Sequence, residues 1–296
     1  MKIFVTGGTG FVGREVVRQL YGAGHKVRCL VRDIERAKRL LPPMVELLHG
    51  DLTDPENFKA GLKDCQAVIH LVGIIVEKGP ATFERIHVQG TEDLLKAASE
   101  AGIRRFVQMS ALGSRADAKS RYHRTKYQAE QAVIQSGLDW TIFRPSVIFG
   151  PGDQFVNMIA RIIKSAPIVP VIGQGESRIQ PISVRNVASC FALAVGNSLS
   201  YHKIYELGGP QRLTYNQIYQ IISGVLEKNK KAVHIPIPLA KPGALISELL
   251  LPNPPITREQ LIMLQEDNIC DSTDMVRDFG LELLSFEDGI REFLKP

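Results

Sequence analysis

Four glycines fall between residues 7 and 13, directly after the apolar run Ile3 to Val5 and directly before a stretch in which Phe11, Val12, Val16, Val17 and Leu20 recur at helical spacing. Strand, glycine turn, helix: that order constrains the fold more than any other stretch of the chain. Gly7, Gly10 and Gly13 have the spacing GxxGxxG. The first permits a tight turn, the second lets backbone N–H groups approach a pyrophosphate, and the third lets the helix pack close to the sheet. A lone glycine turn can serve packing alone, so the surroundings decide. Here a βαβ unit of about thirty residues follows, the context of a dinucleotide site.

Strand-like and helical stretches then alternate. KVRCLV (26–31), VELLHG (45–50), AVIHLVG (67–73), RFVQMS (105–110) and DWTIFRP (139–145) read as strands, with helices near 33–41, 55–63, 82–101 and 122–136. The alternation predicts an α/β fold, a Rossmann-type doubly wound parallel sheet. After Arg144-Pro145 proline and glycine become frequent, and FGPGDQ (149–154) and VIGQGESRIQP (171–181) read as loops. The expected organisation is a dinucleotide-binding domain over 1–150, strand material returning to the sheet near 182–184 and 203–207, and a small, mostly helical C-terminal substrate lobe over 151–296.

A chain of 296 residues, 44% of them hydrophobic, can bury such a core. Its net charge of +5 is spread along the sequence without a long basic run, which suits an anionic ligand and argues against nucleic acid as a partner. Cys29, Cys65, Cys190 and Cys270 stand far apart, with no CxxC and no histidine at metal-ligand spacing. They read as reduced thiols, and a cytoplasmic location is expected. The strand beginning next to Met1 leaves no room for a secretory leader, and no transmembrane segment is expected. The apolar segment 235–255 contains Lys241, Glu248 and six prolines, so it reads as a loop and short helix of a substrate lid.

At the end of the second strand stands LVRD, with Arg32 followed by Asp33. A guanidinium there suits the 2′-phosphate of NADP, whereas an acid suits the ribose hydroxyls of NAD. This favours NADP over NAD, with Asp33 at the start of the next helix as a dipole partner. Tyr122 and Lys126 are four apart in a helical stretch, which puts both on one face.

Together these segments resemble the short-chain dehydrogenase/reductase superfamily in its extended and atypical branches. The resemblance rests on TGGTGFVG (6–13), GDLTD (50–54), HLVG (70–73), YHRTK (122–126), RPSVIFGPGD (144–153) and YELGG (205–209), and it covers nearly the whole chain. HVQGTEDLLKAASEAGIRRFVQMSALG (87–113) most resembles an atypical group related to the nucleotide-carrying accessory subunit of respiratory complex I. The resemblance implies cofactor contacts from Gly7, Thr9, Gly10, Phe11, Val12, Gly13, Arg32, Asp51, Leu52, Leu71, Val72, Gly73, Lys126 and Pro145. It implies a catalytic set of Tyr122, Lys126 and Ser110. In that scheme the Tyr122 phenol exchanges a proton with the substrate, and Lys126 lowers the phenol's pKa while bonding the nicotinamide ribose.

Two positions depart from the family pattern. Extended members carry a Ser-Ser or Ser-Thr pair whose second residue is catalytic, and here Ser110 is followed by Ala111; use of Ser110 or Ser114 instead would be a departure. His87 stands where the family has an asparagine, and it reads either as a proton relay or as a histidine wedged between helix and sheet. Two functions follow: an NADP-dependent oxidoreductase, epimerase or dehydratase-like enzyme acting on a small-molecule carbonyl or alcohol, or a non-catalytic NADP(H)-binding assembly protein. Peripheral association with a respiratory complex goes with the second. A homodimer through 82–101 and 122–136 is compatible with either. No metal site is expected.

Overall fold

The computed structural model describes residues 1–251 and 256–295. The end of the proline-rich segment, 252–255, and residue 296 lie outside the described residues.

From the N-terminus the chain forms β1 (Lys2–Thr6), α1 (Phe11–Gly22), β2 (Lys26–Val31), α2 (Ile34–Leu40), β3 (Glu46–His49), α3 (Glu56–Lys59), β4 (Ala67–His70), α4 (Gly90–Glu100), β5 (Arg105–Met109), α5 (Arg121–Gln135) and β6 (Asp139–Pro145). A π-helical turn, Glu84–Gln89, leads into α4. Then come β7 (Ile148–Phe149), α6 (Phe155–Ser165), β8 (Ile168–Ile172), β9 (Arg178–Ile179), β10 (Ile182–Ser183), α7 (Val184–Ala194) and β11 (Lys203–Leu207). The last part holds β12 (Leu213–Thr214), α8 (Tyr215–Val225), β13 (Lys231–Ile235), α9 (Ile237–Leu250), α10 (Arg258–Met263), α11 (Thr273–Phe279) and α12 (Phe286–Arg291).

These elements form two compact units, each assembled from separate stretches of chain. Unit 1 comprises Met1–Pro145, Val184–Leu207 and Ser272–Glu282. Its sheet has seven strands in the order β3-β2-β1-β4-β5-β6-β11, every neighbouring pair parallel. This is the Rossmann-type sheet expected from the sequence. Helices cover both faces, so the central strand β4 is buried along its whole length. On one face Phe4, Val68, Phe106 and Ile142 pack against Phe58, Leu94 and Val133 of α3, α4 and α5. Successive strand residues point to opposite sides. Phe143, next to Ile142, therefore packs the other way, on Phe191 of α7 and Phe279 of α11.

Of the two segments expected to return to the sheet, 203–207 does, as β11 beside β6. The segment 182–184 does not: β10 pairs with β7 in a two-stranded ladder of unit 2. Its two residues, Ile182 and Ser183, are too few to signal which partner they take.

Unit 2 comprises Ser146–Ser183, Gly208–Asp271 and Leu283–Pro296. Its core gathers Phe149, Val156, Ile159, Ile218, Ile222, Phe286 and Ile290. Capping boxes at Thr214–Gln217 and Thr257–Gln260 start α8 and α10. The stretch 171–181, expected as loop, contains the end of β8 and all of β9. The segment from 235 forms a 14-residue helix with Pro242 inside it, longer than the short helix expected.

Candidate nucleotide-binding and active site

A parallel sheet gathers the carboxyl ends of its strands on one edge, and ligands bind there at the point where the strand order reverses. Here that point lies between β1 and β4. Thr6 ends β1, and Gly7 follows with φ +77°, the left-handed region that glycine enters without steric cost. The Gly10 amide donates to the Gly7 carbonyl at 3.0 Å, closing the turn. A Cβ on Gly13 would lie 2.1 Å from the Gly7 oxygen and 2.8 Å from the Gly8 Cα, so α1 starts in backbone contact with the turn. Gly10 caps α1 without a side chain, which leaves the helix's first N–H groups available to an anion. Thr9 and Phe11 are half-buried beside the turn, while Val12 is buried and offers a ligand only its backbone.

The loop after β4 meets this turn. A Cβ on Gly7 would lie 3.1 Å from both the Leu71 carbonyl carbon and the Val72 nitrogen. Two strands away, Arg32 follows β2 with its side chain 83% exposed and its Nη1 3.9 Å from Asp51 Oδ2, past the end of β3. Asp51 Oδ1 accepts from the backbone and the hydroxyl of Thr53, 2.9 Å each. Asp33 is occupied as the N-cap of α2, accepting from the Arg36 amide at 2.9 Å. Leu52 is buried against Gly90. Pro145 ends β6 and its carbonyl accepts from the Leu112 amide at 2.9 Å.

Ser120 caps α5, its Oγ accepting from the His123 amide at 3.1 Å, and this cap fixes where Tyr122 and Lys126 project. Lys126 is buried, and its Nζ donates to the Met109 carbonyl at 3.1 Å. It also borders the loop after β4, since a Cβ on Gly73 would lie 2.9 Å from Nζ. Burial lowers the Lys126 pKa to about 8, against an opposing pull from Glu130. Glu130, one helical turn on, is fully buried and held in a two-point pair by Arg144, 2.8 Å and 2.5 Å. Neither Glu130 nor its pairing with Arg144 was singled out from the sequence.

The Tyr122 ring packs edge-on against Phe83, His87 and His123. Burial pushes its phenol up to about 12. The expected lowering by Lys126 is therefore not a property of the protein alone: Lys126 spends its charge against Met109 and Glu130, and the low-polarity ring cage disfavours phenolate.

Ser110 is buried at the end of β5, its Oγ 3.3 Å from the Ser114 Oγ. Ala111 is also buried. His87 lies in the π-helical turn, buried, with both ring nitrogens engaged. Its Nδ1 lies 2.9 Å from the Thr125 hydroxyl, and its Nε2 lies 3.1 Å from the Ile74 amide nitrogen and 3.0 Å from the Ile74 carbonyl oxygen, so either tautomer finds partners at both nitrogens. His70 extends this layer. The Thr91 hydroxyl donates to the His87 carbonyl at 2.6 Å and therefore accepts from His70 Nε2, leaving His70 Nδ1 to accept from Thr6 at 2.6 Å. Burial lowers His70 to about 3 and His87 to about 2, so both are neutral. His87 is packed between the π-helical turn, α5 and the loop after β4, hydrogen-bonded at both ring nitrogens. Thr6, His70, Thr91 and Thr125 join it in one buried polar layer that no sequence motif announced.

The arginines around Tyr122 turn to protein groups. Arg121 pairs with Glu77 at 3.0 Å, Arg115 with Asp117 at 3.3 Å, and Arg124 donates to the carbonyls of Ala118 and Lys119. Among the described residues there is no group of three or more metal-ligating side chains.

Three features fit a dinucleotide: the glycine turn under a helix whose N-cap has no side chain, the exposed cation beside Asp51, and a buried ammonium at the far loop. Comparison with known proteins agrees. A family model described as NAD(P)H-binding matches residues 7–155. The chain is 31% identical over 287 residues to NADH dehydrogenase (ubiquinone) 1 alpha subcomplex subunit 9, mitochondrial, of Arabidopsis thaliana, covering 94% of this chain and 71% of that one. It is 30% identical over 252 residues to the ceramide reductase of Caulobacter vibrioides, covering 82% and 77%. The crystal structure of the Thermotoga maritima UDP-glucose 4-epimerase has the same fold, with a TM-score of 0.77 at 20% identity over 98% and 96% of the two chains.

Proposed function

The chain belongs to the NAD(P)-binding short-chain dehydrogenase/reductase and epimerase-like family, and from that premise we propose that it is an NADP-dependent oxidoreductase or epimerase acting on a small carbonyl or alcohol. The observation that carries this is the placement of Lys126 between the Met109 carbonyl and Gly73, one helical turn from Tyr122. NADP in preference to NAD is supported by Arg32, which is exposed, and by Asp33, whose carboxylate is spent on capping α2.

In this reading Gly7, Gly10 and Gly13 hold the pyrophosphate through backbone N–H groups, Arg32 meets the 2′-phosphate, and Asp51 and Leu52 border the adenine. The bound nicotinamide supplies a hydride donor or acceptor. Lys126 anchors the ribose. Tyr122 gives or takes the proton at the substrate oxygen, and Ser110, with Ser114 behind it, donates a hydrogen bond to that oxygen. The four cysteines, all free and buried, fit a reducing compartment such as the cytoplasm.

Ala111 supports a second reading, a non-catalytic NADP(H)-binding protein that associates with a respiratory assembly. A buried methyl stands where a donor is expected, and the Tyr122 phenol is held up at about 12.

Calorimetric titration with NADPH and NADH, followed by turnover assays over a panel of carbonyls, separates the readings. The enzyme requires NADPH binding, carbonyl-dependent NADPH oxidation, and a Tyr122→Phe variant that keeps cofactor affinity and loses turnover. Tight NADPH binding with no oxidation on any carbonyl supports the second reading. Binding of neither nucleotide overturns both.

A further inference from the structure

Helix α9 of unit 2 faces solvent with the wrong side chains. At 100° per residue, Leu239, Pro242, Leu245 and Ile246 fall on one side of it, and all four are exposed, Leu239 by 72% and Ile246 by 56%. The opposite side carries Ala240, Ala244 and Ser247; Ala244 is buried, and Ser247 donates to the carbonyls of Ala244 and Ile256. A helix of a water-exposed domain normally turns its large apolar residues inward. The other exposed large apolar side chains, among them Tyr21, Met44, Leu193, Leu199 and Ile204, are spread over separate elements, and none lies on α4 or α5. Only α9 gathers them into a stripe, among the described residues.

Cations accompany the stripe. Lys241 borders it, and Lys228, Lys230 and Lys231 lie in the turn and first residue of β13, the strand that runs directly into α9. Among the described residues no carboxylate pairs with any of the four, while the helix's own acid, Glu248, is held by Arg258 at 2.8 Å. An apolar stripe bordered by one unpaired ammonium group, with three more in the segment that leads into the helix through β13, matches a surface whose interior is hydrocarbon and whose headgroups are anionic. Fourteen residues make a helix of about 21 Å, shorter than the ~30 Å hydrocarbon core, so α9 is suited to lie in the interface and not to cross it. A second copy of the chain fits less well, because a two-fold contact through this face would set the same lysines against one another.

We propose that α9, with Lys241 on the helix and Lys228, Lys230 and Lys231 at and just before the start of the strand that leads into it, docks the protein on the surface of an anionic lipid bilayer. The test uses the full chain and vesicles of phosphatidylcholine alone or mixed with phosphatidylglycerol. Sedimentation with the mixed vesicles is expected, weakened by salt. The Leu239→Ser/Leu245→Ser/Ile246→Ser variant should lose affinity by about tenfold or more. The Lys228→Gln/Lys231→Gln/Lys241→Gln variant should lose the distinction between the two lipids. Both sets change exposed side chains, and unchanged thermal unfolding and NADPH binding establish that they remain folded. Absence of wild-type binding, or equal binding by wild type and serine variant, overturns the proposal. So does a wild-type dimer, seen by light scattering, that the serine changes split while vesicle binding is absent.

Discussion

The Nζ of Lys126 lies 3.1 Å from the carbonyl oxygen of Met109, so a buried ammonium on α5 closes the carboxyl end of β5. Burial holds its pKa near 8, below the ordinary 10.5. The unfolded chain therefore binds more protons between those values, and stability rises with pH through that window. Below pH 8 the cost of the buried charge is present in full. Lys126→Met is expected to gain about 1–2 kcal/mol in thermal unfolding near neutrality, a gain that shrinks toward pH 10, while NADPH affinity falls. A melting temperature lowered near neutrality would count against this account.

The buried histidines act in the opposite part of the pH scale. His70 and His87 are held neutral, at about 3 and about 2, against an ordinary 6.5. In the window below 6.5 the unfolded state takes up protons that the folded state refuses, so stability falls on acidification, by up to about 1.4 kcal/mol per pH unit for each histidine. Urea unfolding at a series of acidic pH values should show that slope, and His87→Gln should remove one proton's share of it. An unchanged slope in the variant would mean that His87 titrates normally.

Two glycines of α1 give a matched pair. Gly13→Ala places a methyl against backbone atoms at 2.1 Å and 2.8 Å, neither of which can swing away, and should cost about 1–3 kcal/mol together with nucleotide affinity. At Gly22 a Cβ meets nothing within 4 Å, and Gly22→Ala should stabilise by about 0.5–1 kcal/mol. Denaturant midpoints of the two variants should move in opposite directions.

Arg32 is so exposed that its contribution belongs to binding and not to folding. Arg32→Ala is expected to weaken NADPH by about tenfold to a hundredfold in calorimetry and leave NADH nearly unchanged. Equal loss for both nucleotides would place the 2′-phosphate elsewhere.

Ala111 offers a gain-of-function test of the enzyme. Ala111→Ser restores a hydroxyl at the expected place, and kcat should rise by about tenfold or more if the oxygen donor limits the rate. No change in kcat would leave Ser110 or Ser114 as the sufficient donor.

The sheet was legible because its central strands β1, β4, β5 and β6 are largely buried and read as apolar runs, and because the glycine turn marks where the first of them ends. The rim of the site was legible for the same reason: Gly7, Arg32, Asp51, Leu71, Ser110 and Pro145 each stand at or just past a strand's carboxyl end, and a parallel sheet brings such ends together. What lies beneath the rim was not. Thr6, His70, Thr91 and Thr125 meet only because β1, β4, α4 and α5 are stacked, and hydrogen bonds between distant threonines and histidines leave no periodic trace in a sequence. The strands β8 and β9 were hidden by the turn-forming residues between them, while β10 was expected as a strand but is too short to show that it pairs with β7.

The sheet's outer strand also sets an order in time. Strands β1 to β6 leave the ribosome first, yet β11, which covers the far edge of β6, is synthesised only after residues 146–202. At roughly 5–20 residues per second, β6 waits several seconds with one row of backbone groups unpaired. Asp278, which receives the Tyr205 hydroxyl at 2.7 Å and the Lys203 ammonium at 2.9 Å, comes later still. A nascent chain halted before residue 203 carries an open parallel edge, the kind of surface that recruits chaperones or neighbouring chains.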